Sequence, residues 1–291
     1  MVSDRSKVNV PNVESAVCWV VALKSEAKPI ISHFKLDHQS GNSIFPIYRN
    51  DKLGHSLIVS GVGQTNAAAA TTYLASESGA PPWAAWINLG IAGSIDGEIG
   101  KLYQGIKVTN PTRDKVYFPG YRFSKIVSLA EIQTLDYPSP VKENGVLHDM
   151  EASGFIDFAT KFSCNELVFS FKVVSDNSEQ DMKLIDKMMV NSLIGNRLQQ
   201  LDVLLDKIIT LSKLEKQRLQ IPDEVEKVLK QFHFSVTRRN QLIQKLRKWK
   251  NQFPNRSISD LVKEAKTAAD VIRNIDDALT DLKFDWACTI D

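Results

Sequence analysis

The spacing of apolar and polar positions changes character along the chain, and those changes lay out its elements. "AVCWVVA" (16–22) is a short, almost wholly apolar run, the pattern of a strand buried on both faces. "LKSEAKPIISHF" (23–34) then takes helical spacing, with Ser25 the expected N-cap and Glu26 in the first turn. "SLIVSGVG" (56–63) predicts a second buried strand that ends on Gly61 and Gly63, and "QTNAAAATTYLASE" (64–77) is built of helix formers. "WAAWINLGIAG" (83–93) again predicts a strand running into paired glycines, Gly90 and Gly93. "GIKVTNPT" (105–112) reads as a strand closed by Asn-Pro, and "VLHD" (146–149) as one that ends on an aspartate. "MEASGFIDFATKF" (150–162) sets Phe155, Ile156, Phe158, Ala159 and Phe162 on one helical face. "ELVFSFKVVSD" (166–176) is a strand that is apolar on both faces for most of its length. Buried strands alternating with helices predict a layered α/β domain with a largely internal sheet.

From about residue 181 only helical periodicity remains. Pro222 and Pro254 break it into roughly four helices, the first over about 183–213 and packed on the sheet. The predicted organisation is a polar tail over 1–15, an α/β domain over 16–213 and an all-helical extension over 214–291. No internal repeat is visible.

Composition narrows the classes. With 43% hydrophobic and 24% charged residues the chain reads as globular, and a net charge of +2 provides no field that demands nucleic acid or an anionic membrane. The first apolar run is far too short to span a bilayer. Cys18, Cys164 and Cys288 are scattered, with neither CxxC nor histidine at ligand spacing, so no metal is expected and a reducing, cytoplasmic setting is. The basic stretch "RRNQLIQKLRKWK" (238–250) carries six Lys/Arg residues. The plain reading is an amphipathic helix that buries Leu242, Ile243, Leu246 and Trp249, which makes a nucleic-acid partner unlikely.

Three carboxylates stand out by position. Glu26 follows the first strand and Asp176 ends the last, and the carboxyl edge of an open α/β sheet is where ligands bind. Glu151 opens a helix, where the dipole and free N–H groups favour its charge. Each has a plain alternative: Glu151 a helix-start carboxylate, Asp176 a turn or cap residue, Met150 a core side chain, and the glycines tight turns.

Together, "VVALKSEA", "VSGVGQTNAAAAT", "INLGIAGS", "HDMEASGF" and "VVSDN" resemble, in order and context, the nucleoside phosphorylase-type superfamily, most nearly its methylthioadenosine/S-adenosylhomocysteine nucleosidase branch. The resemblance spans about 16–210 and implies a three-layer α/β/α domain with a mixed central sheet, a homo-oligomer (a dimer), a small-molecule nucleoside as partner and no cofactor. It implies that Asp176, beside Ser175, protonates the purine at N7; that Glu151 grips ribose hydroxyls while Met150 packs on the sugar; and that Glu26 orients and deprotonates the attacking water. Gly63, Gly90, Ile91, Ala92 and Gly93 would bring backbone close to sugar and nucleophile.

The sequence also departs from that pattern. The phosphate-binding Gly-Asp-Pro-x-Arg type loop of phosphorolytic members is replaced by "ALKSEA", and "NLGIAGSI" has no arginine, so water is the expected nucleophile. Ile91 stands where nucleosidases have a small polar residue, and the stretch between Gly93 and His148 is short. Tyr117, Phe118 and Tyr121 are candidates to stack on a base, with a packed surface loop as the alternative, while His148 reads as structural. The leading expectation is a purine-nucleoside hydrolase. A phosphorylase with the same acid and sugar grip, or a non-catalytic scaffold with a degraded base pocket, are the alternatives.

Overall fold

A computed structural model describes residues 16–41, 43–138, 144–178 and 184–280. The chain divides into two compact units, with the division between Leu214 and Glu215.

In the first unit the strands β1 (Val17–Val21), β4 (His55–Val59), β5 (Ala85–Ser94) and β10 (Val168–Asp176) lie parallel at the centre of a mixed sheet. Outside β4 lies β3 (Ile47–Asn50), antiparallel to it, and then β2 (Asp37–His38), antiparallel to β3. Beyond β10 come β6 (Leu102–Asn110), with the short β7 (Lys115–Tyr117) on its edge, then β8 (Ser128–Thr134) and β9 (Val146–Asp149). The end of β5 leaves β1 and pairs with β9, Gly93 opposite His148, while β10 pairs with both β5 and β6. The path β5-β10-β6-β8-β9 therefore closes on itself, and the open sheet continues out through β1. The cavity described below sits where open sheet and closed path meet, at the carboxyl ends of β1, β5 and β10.

Helices cover both faces. On one side α2 (Gln64–Ser78) and α3 (Ala152–Phe162) bury Ala67, Ala70, Leu74, Phe155 and Ile156 against Val20, Ile58 and Trp86. On the other, α1 (Lys24–Phe34), α4 (Lys187–Gly195) and α5 (Leu198–Leu219) bury Ile30, Phe34, Ile194, Leu204 and Ile208 against Trp19, Val21 and Phe169. This is the three-layer α/β/α arrangement, with a core in each layer interface.

The helix-start and helix-length expectations need correction. Helix α1 is capped at Leu23 and not at Ser25: the backbone N–H of Leu23 donates to Glu26 at 2.8 Å, so the third helical residue does the capping. The single helix expected over 183–213 is two, broken at Asn196 and Arg197, where the Arg197 side chain donates to the carbonyl of Gly100 at 2.5 Å. Of the candidate face on α3, Phe155, Ile156 and Ala159 are buried, whereas Phe158 and Phe162 are only partly covered. Six helices, not four, follow residue 184 among the described residues.

The second unit holds α6 (Glu224–Gln231), α7 (Val236–Gln252), α8 (Ser259–Lys263) and α9 (Ala268–Thr280). It has a core of its own, with Val228, Leu242, Leu246, Trp249, Val271 and Ile275 at its centre. Helix α7 is the basic stretch. Its Lys250 pairs with Glu224 at 2.6 Å and its Lys245 pairs with Asp276, so part of its charge is spent inside the unit. No helix among the described residues is long and apolar enough to cross a membrane.

Candidate active site

The first carboxylate is positioned by the start of α1. Glu26 is 2% exposed, and its two oxygens each accept a backbone hydrogen bond at 2.8 Å, one from Leu23 and one from Ile91 on β5. Its side chain thus bridges the helix start to the later half of β5. Burial pushes its pKa up to about 7; the two N–H groups and Lys172 oppose the rise, and Glu151 adds to it.

Glu151 stands at the N-cap of α3, 7% exposed, and accepts from the backbone N–H of Gly63 at 2.8 Å. Burial raises its pKa, the nearby Lys172 opposes the rise, and Asp149 reinforces it. Asp176, at the end of β10, takes a 2.6 Å hydrogen bond from the Ser175 hydroxyl. A Cβ at Gly93 would lie 2.7 Å from Asp176 Oδ2, and one at Gly90 would lie 2.9 Å from Glu26 Oε1 and 3.5 Å from Lys172 Nζ. Both glycines make room for the close approach of these side chains to β5.

Behind these groups lies a pair that sequence reasoning missed. Lys172 Nζ meets Asp149 Oδ2 at 2.7 Å with both side chains essentially buried. Asp149 also accepts from the Thr134 hydroxyl and the Ala152 backbone N–H, both at 2.8 Å, so it caps α3 as well as holding the lysine. Burial works against the ammonium charge, but Asp149, Glu151 and Glu26 outweigh it and hold the Lys172 pKa above that of an ordinary lysine. A signal for it was present: Lys172 is a charge in the middle of "VFSFKVV", a strand buried on both faces.

Glu26, Glu151 and Asp176 line one cavity of about 180 Å³, together with Met150, Ser175, Ile91, Ala92 and Gly93. Gly63 and Gly90 do not line it; the first holds Glu151 and the second makes room for Glu26. His148, read as structural, does line it, as does Asp149. Leu23, Val62, Leu135, Tyr137, Pro138 and Ile185 make the rest of the wall mainly apolar.

Tyr117, Phe118 and Tyr121 are not at the cavity. Tyr117 packs on the α2/α3 core, Phe118 is exposed, and Tyr121 meets Phe123 with tilted rings, centroids 4.9 Å apart. The stretch between Gly93 and His148 holds β6, β7 and β8, and it contributes Tyr137, three residues beyond the end of β8, to the cavity. Among the described residues no group of three or more His, Cys, Asp or Glu is arranged to hold a metal.

No protein-family model and no curated protein matches this chain. Solved structures do. The 5′-methylthioadenosine nucleosidase of Arabidopsis thaliana superposes with a TM-score of 0.56 at 16% identity, over 67% of this chain and 96% of that one. The α/β unit has the nucleoside phosphorylase-type fold. Futalosine hydrolase of Helicobacter pylori matches with a TM-score of 0.54 at 15% identity, over 66% of this chain and 98% of that one. The 5′-methylthioadenosine/S-adenosylhomocysteine nucleosidase of S. pneumoniae gives 0.52 at 16%, over 69% and 100%. The resemblance carried by the five sequence motifs thus holds at the level of the nucleoside phosphorylase-type fold.

Proposed function

We propose that the chain is a nucleosidase that hydrolyses the N-glycosidic bond of a purine nucleoside, with 5′-substituted adenosines as the first substrates to try. The observation that carries this reading is the meeting of Glu26, Glu151 and Asp176 in one small cavity at the carboxyl ends of β1, β5 and β10. Asp176, oriented by Ser175, would deliver a proton to N7 of the purine as the C1′–N9 electrons move into the base. Glu151 would hold the ribose hydroxyls. Glu26, fixed through both oxygens, would take a proton from the water whose oxygen bonds C1′. The proton then returns through solvent to Asp176, and free base and ribose-type sugar leave.

The nucleosidases and the hydrolase of like fold make this chemistry the natural one for such a cavity. Water is favoured over phosphate by the lining itself. It carries Glu26, Asp149, Glu151 and Asp176 and no arginine among the described residues, whereas a phosphate dianion needs a dense cluster of donors. Arg113 lies elsewhere, beside Thr65 and Phe158 on the outer face of α2. Placement in a homo-oligomer and in the cytoplasm belongs to the same proposal. The test is a panel of purine nucleosides with and without inorganic phosphate, followed by release of free base. Base release that is independent of phosphate is the expected result. A sugar 1-phosphate formed only with phosphate would replace the hydrolase by a phosphorylase, and no release from any nucleoside would leave a binding protein.

A further inference from the structure

Strand β8 ends at Thr134, yet the next four residues contribute Leu135, Tyr137 and Pro138 to the cavity wall. Something outside the strand must set where that strap lies. Leu135 is held by its backbone N–H, which donates to the carbonyl of Asp149 at 2.8 Å. Asp136 is held by a side chain. Gln64, 5% exposed and the first residue of α2, donates its amide Nε2 to Asp136 Oδ1. The other end of the same amide accepts from Asn110 Nδ2 at 2.5 Å, and Asn110 is anchored in turn on the Ser153 hydroxyl at 3.1 Å. Both ends of the Gln64 amide are thus used, and the buried group is fixed against rotation. The residue before it, Gly63, donates to Glu151. One point of the chain, the start of α2, therefore sets both the proposed sugar-gripping carboxylate and the strap across from it.

We propose that Gln64 is a positioning residue: through Asp136 it holds the Leu135–Pro138 strap against a bound nucleoside, without touching the ligand itself. The inference rests on the nucleosidase reading for its kinetic part only. The tie is to a carboxylate, and charge-assisted bonds are the strong ones. Its loss should appear in ligand affinity, since neither residue is placed to exchange a proton with the substrate.

The test compares Gln64→Leu, Asp136→Ala, their double variant and Asp136→Asn in the full chain. Asp136→Asn keeps an oxygen that can accept from Gln64 but loses the charge, so its KM should fall between those of the natural protein and Asp136→Ala. Gln64→Leu and Asp136→Ala should each raise KM by about tenfold, the size of one charge-assisted hydrogen bond, with kcat within about twofold. The double variant should be no worse than either single one. A second readout needs no substrate: hydrogen exchange at the Leu135, Asp136 and Tyr137 amides should speed up in Gln64→Leu, with Ser128–Thr134 unchanged. If exchange in the strap is unaltered, if Asp136→Asn matches Asp136→Ala, or if the two single effects add, the proposal is overturned. If the natural protein turns over no nucleoside, the nucleosidase reading fails separately, and the exchange measurement still decides whether Gln64 holds the strap.

Discussion

Replacing Glu26 by glutamine separates what the carboxylate does for chemistry from what it costs the fold. In the unfolded chain this carboxyl ionises near 4.5; in the folded protein burial moves it to about 7. Below pH 4.5 it is protonated in both states, and its contribution to stability is fully present. As pH rises, the unfolded chain ionises first, so stability is lost until the folded carboxyl also ionises around pH 7. The total loss is on the order of 3 kcal/mol. Glutamine cannot ionise, and it offers one oxygen where the carboxyl, protonated or ionised, has two. One of the Leu23 and Ile91 N–H groups then faces an amide N–H, at a cost of about 1–2 kcal/mol. Glu26→Gln should therefore be the less stable protein at pH 5 and should equal or exceed the natural one by pH 8. The swing between them should be about 2–3 kcal/mol. Urea unfolding of both proteins at pH 5, 6, 7 and 8 measures it. A difference that stays constant over that range would refute burial of an ionising carboxyl as the source. In the same variant, base release should be abolished at every pH, while that of the natural protein should climb as pH rises through about 7, because only the ionised carboxylate can accept a proton from water.

Asp176→Asn should lower turnover by roughly 10²–10⁴-fold with an unchanged melting curve, since an amide cannot protonate the leaving base; near-full turnover with chemistry rate-limiting would end the acid assignment. Lys172→Met strips a buried cation from Asp149, Glu151 and Glu26 and should cost about 3–5 kcal/mol at pH 7, with part of the loss restored by adding Asp149→Asn; urea midpoints of the single and double variants test this. A chain ending at Leu219, the end of α5, should keep a cooperative melt, because the α5 residues buried against the sheet, from Leu201 to Ile208, all lie before the cut. Aggregation or a broadened transition would make the last helices part of the core.

The central strands and flanking helices were legible because a strand buried on both faces has nowhere to hide its pattern: "VCWVV", "WINLG" and "VFSFKVV" are apolar without alternation. The peripheral strands β2, β3, β7 and β8 were not, since each is short or half-exposed and carries polar residues such as Arg49, Lys115 and Glu131. Glu26, Glu151 and Asp176 could be placed at one edge from the ends of their elements. That β5 would supply an N–H for Glu26 from Ile91 could not, because the two residues lie 65 positions apart. Asp149 and Lys172 were missed for a similar reason. Each looks like an isolated oddity in its own strand, a terminal aspartate and a lone lysine, and only the packing of α3's start against β10 makes them partners. Tyr137 was overlooked in favour of Tyr117 and Tyr121 because a cluster of aromatics is a louder signal than a single one after a polar strand.

The charge arrangement explains how several carboxylates can share a small cavity, and it supports the hydrolytic reading proposed for it. Burial raises the pKa of Glu26 and Glu151, and neighbouring carboxylates add to the rise. Lys172 relieves this from below, from the sheet side, where its ammonium meets Asp149 and is closed off from solvent. It is therefore engaged with carboxylates and poorly placed to receive an incoming phosphate. Among the described residues the cavity lining carries four carboxyl groups and no lysine or arginine. A sugar losing its base develops positive charge at C1′ and O4′, and preorganised negative groups in a cavity walled by Val62, Leu135 and Ile185 act on that charge more strongly than they would in water. A phosphate dianion brought to the same place would cancel the field and would itself be repelled by Glu26, whereas a neutral water does neither and can give Glu26 its proton.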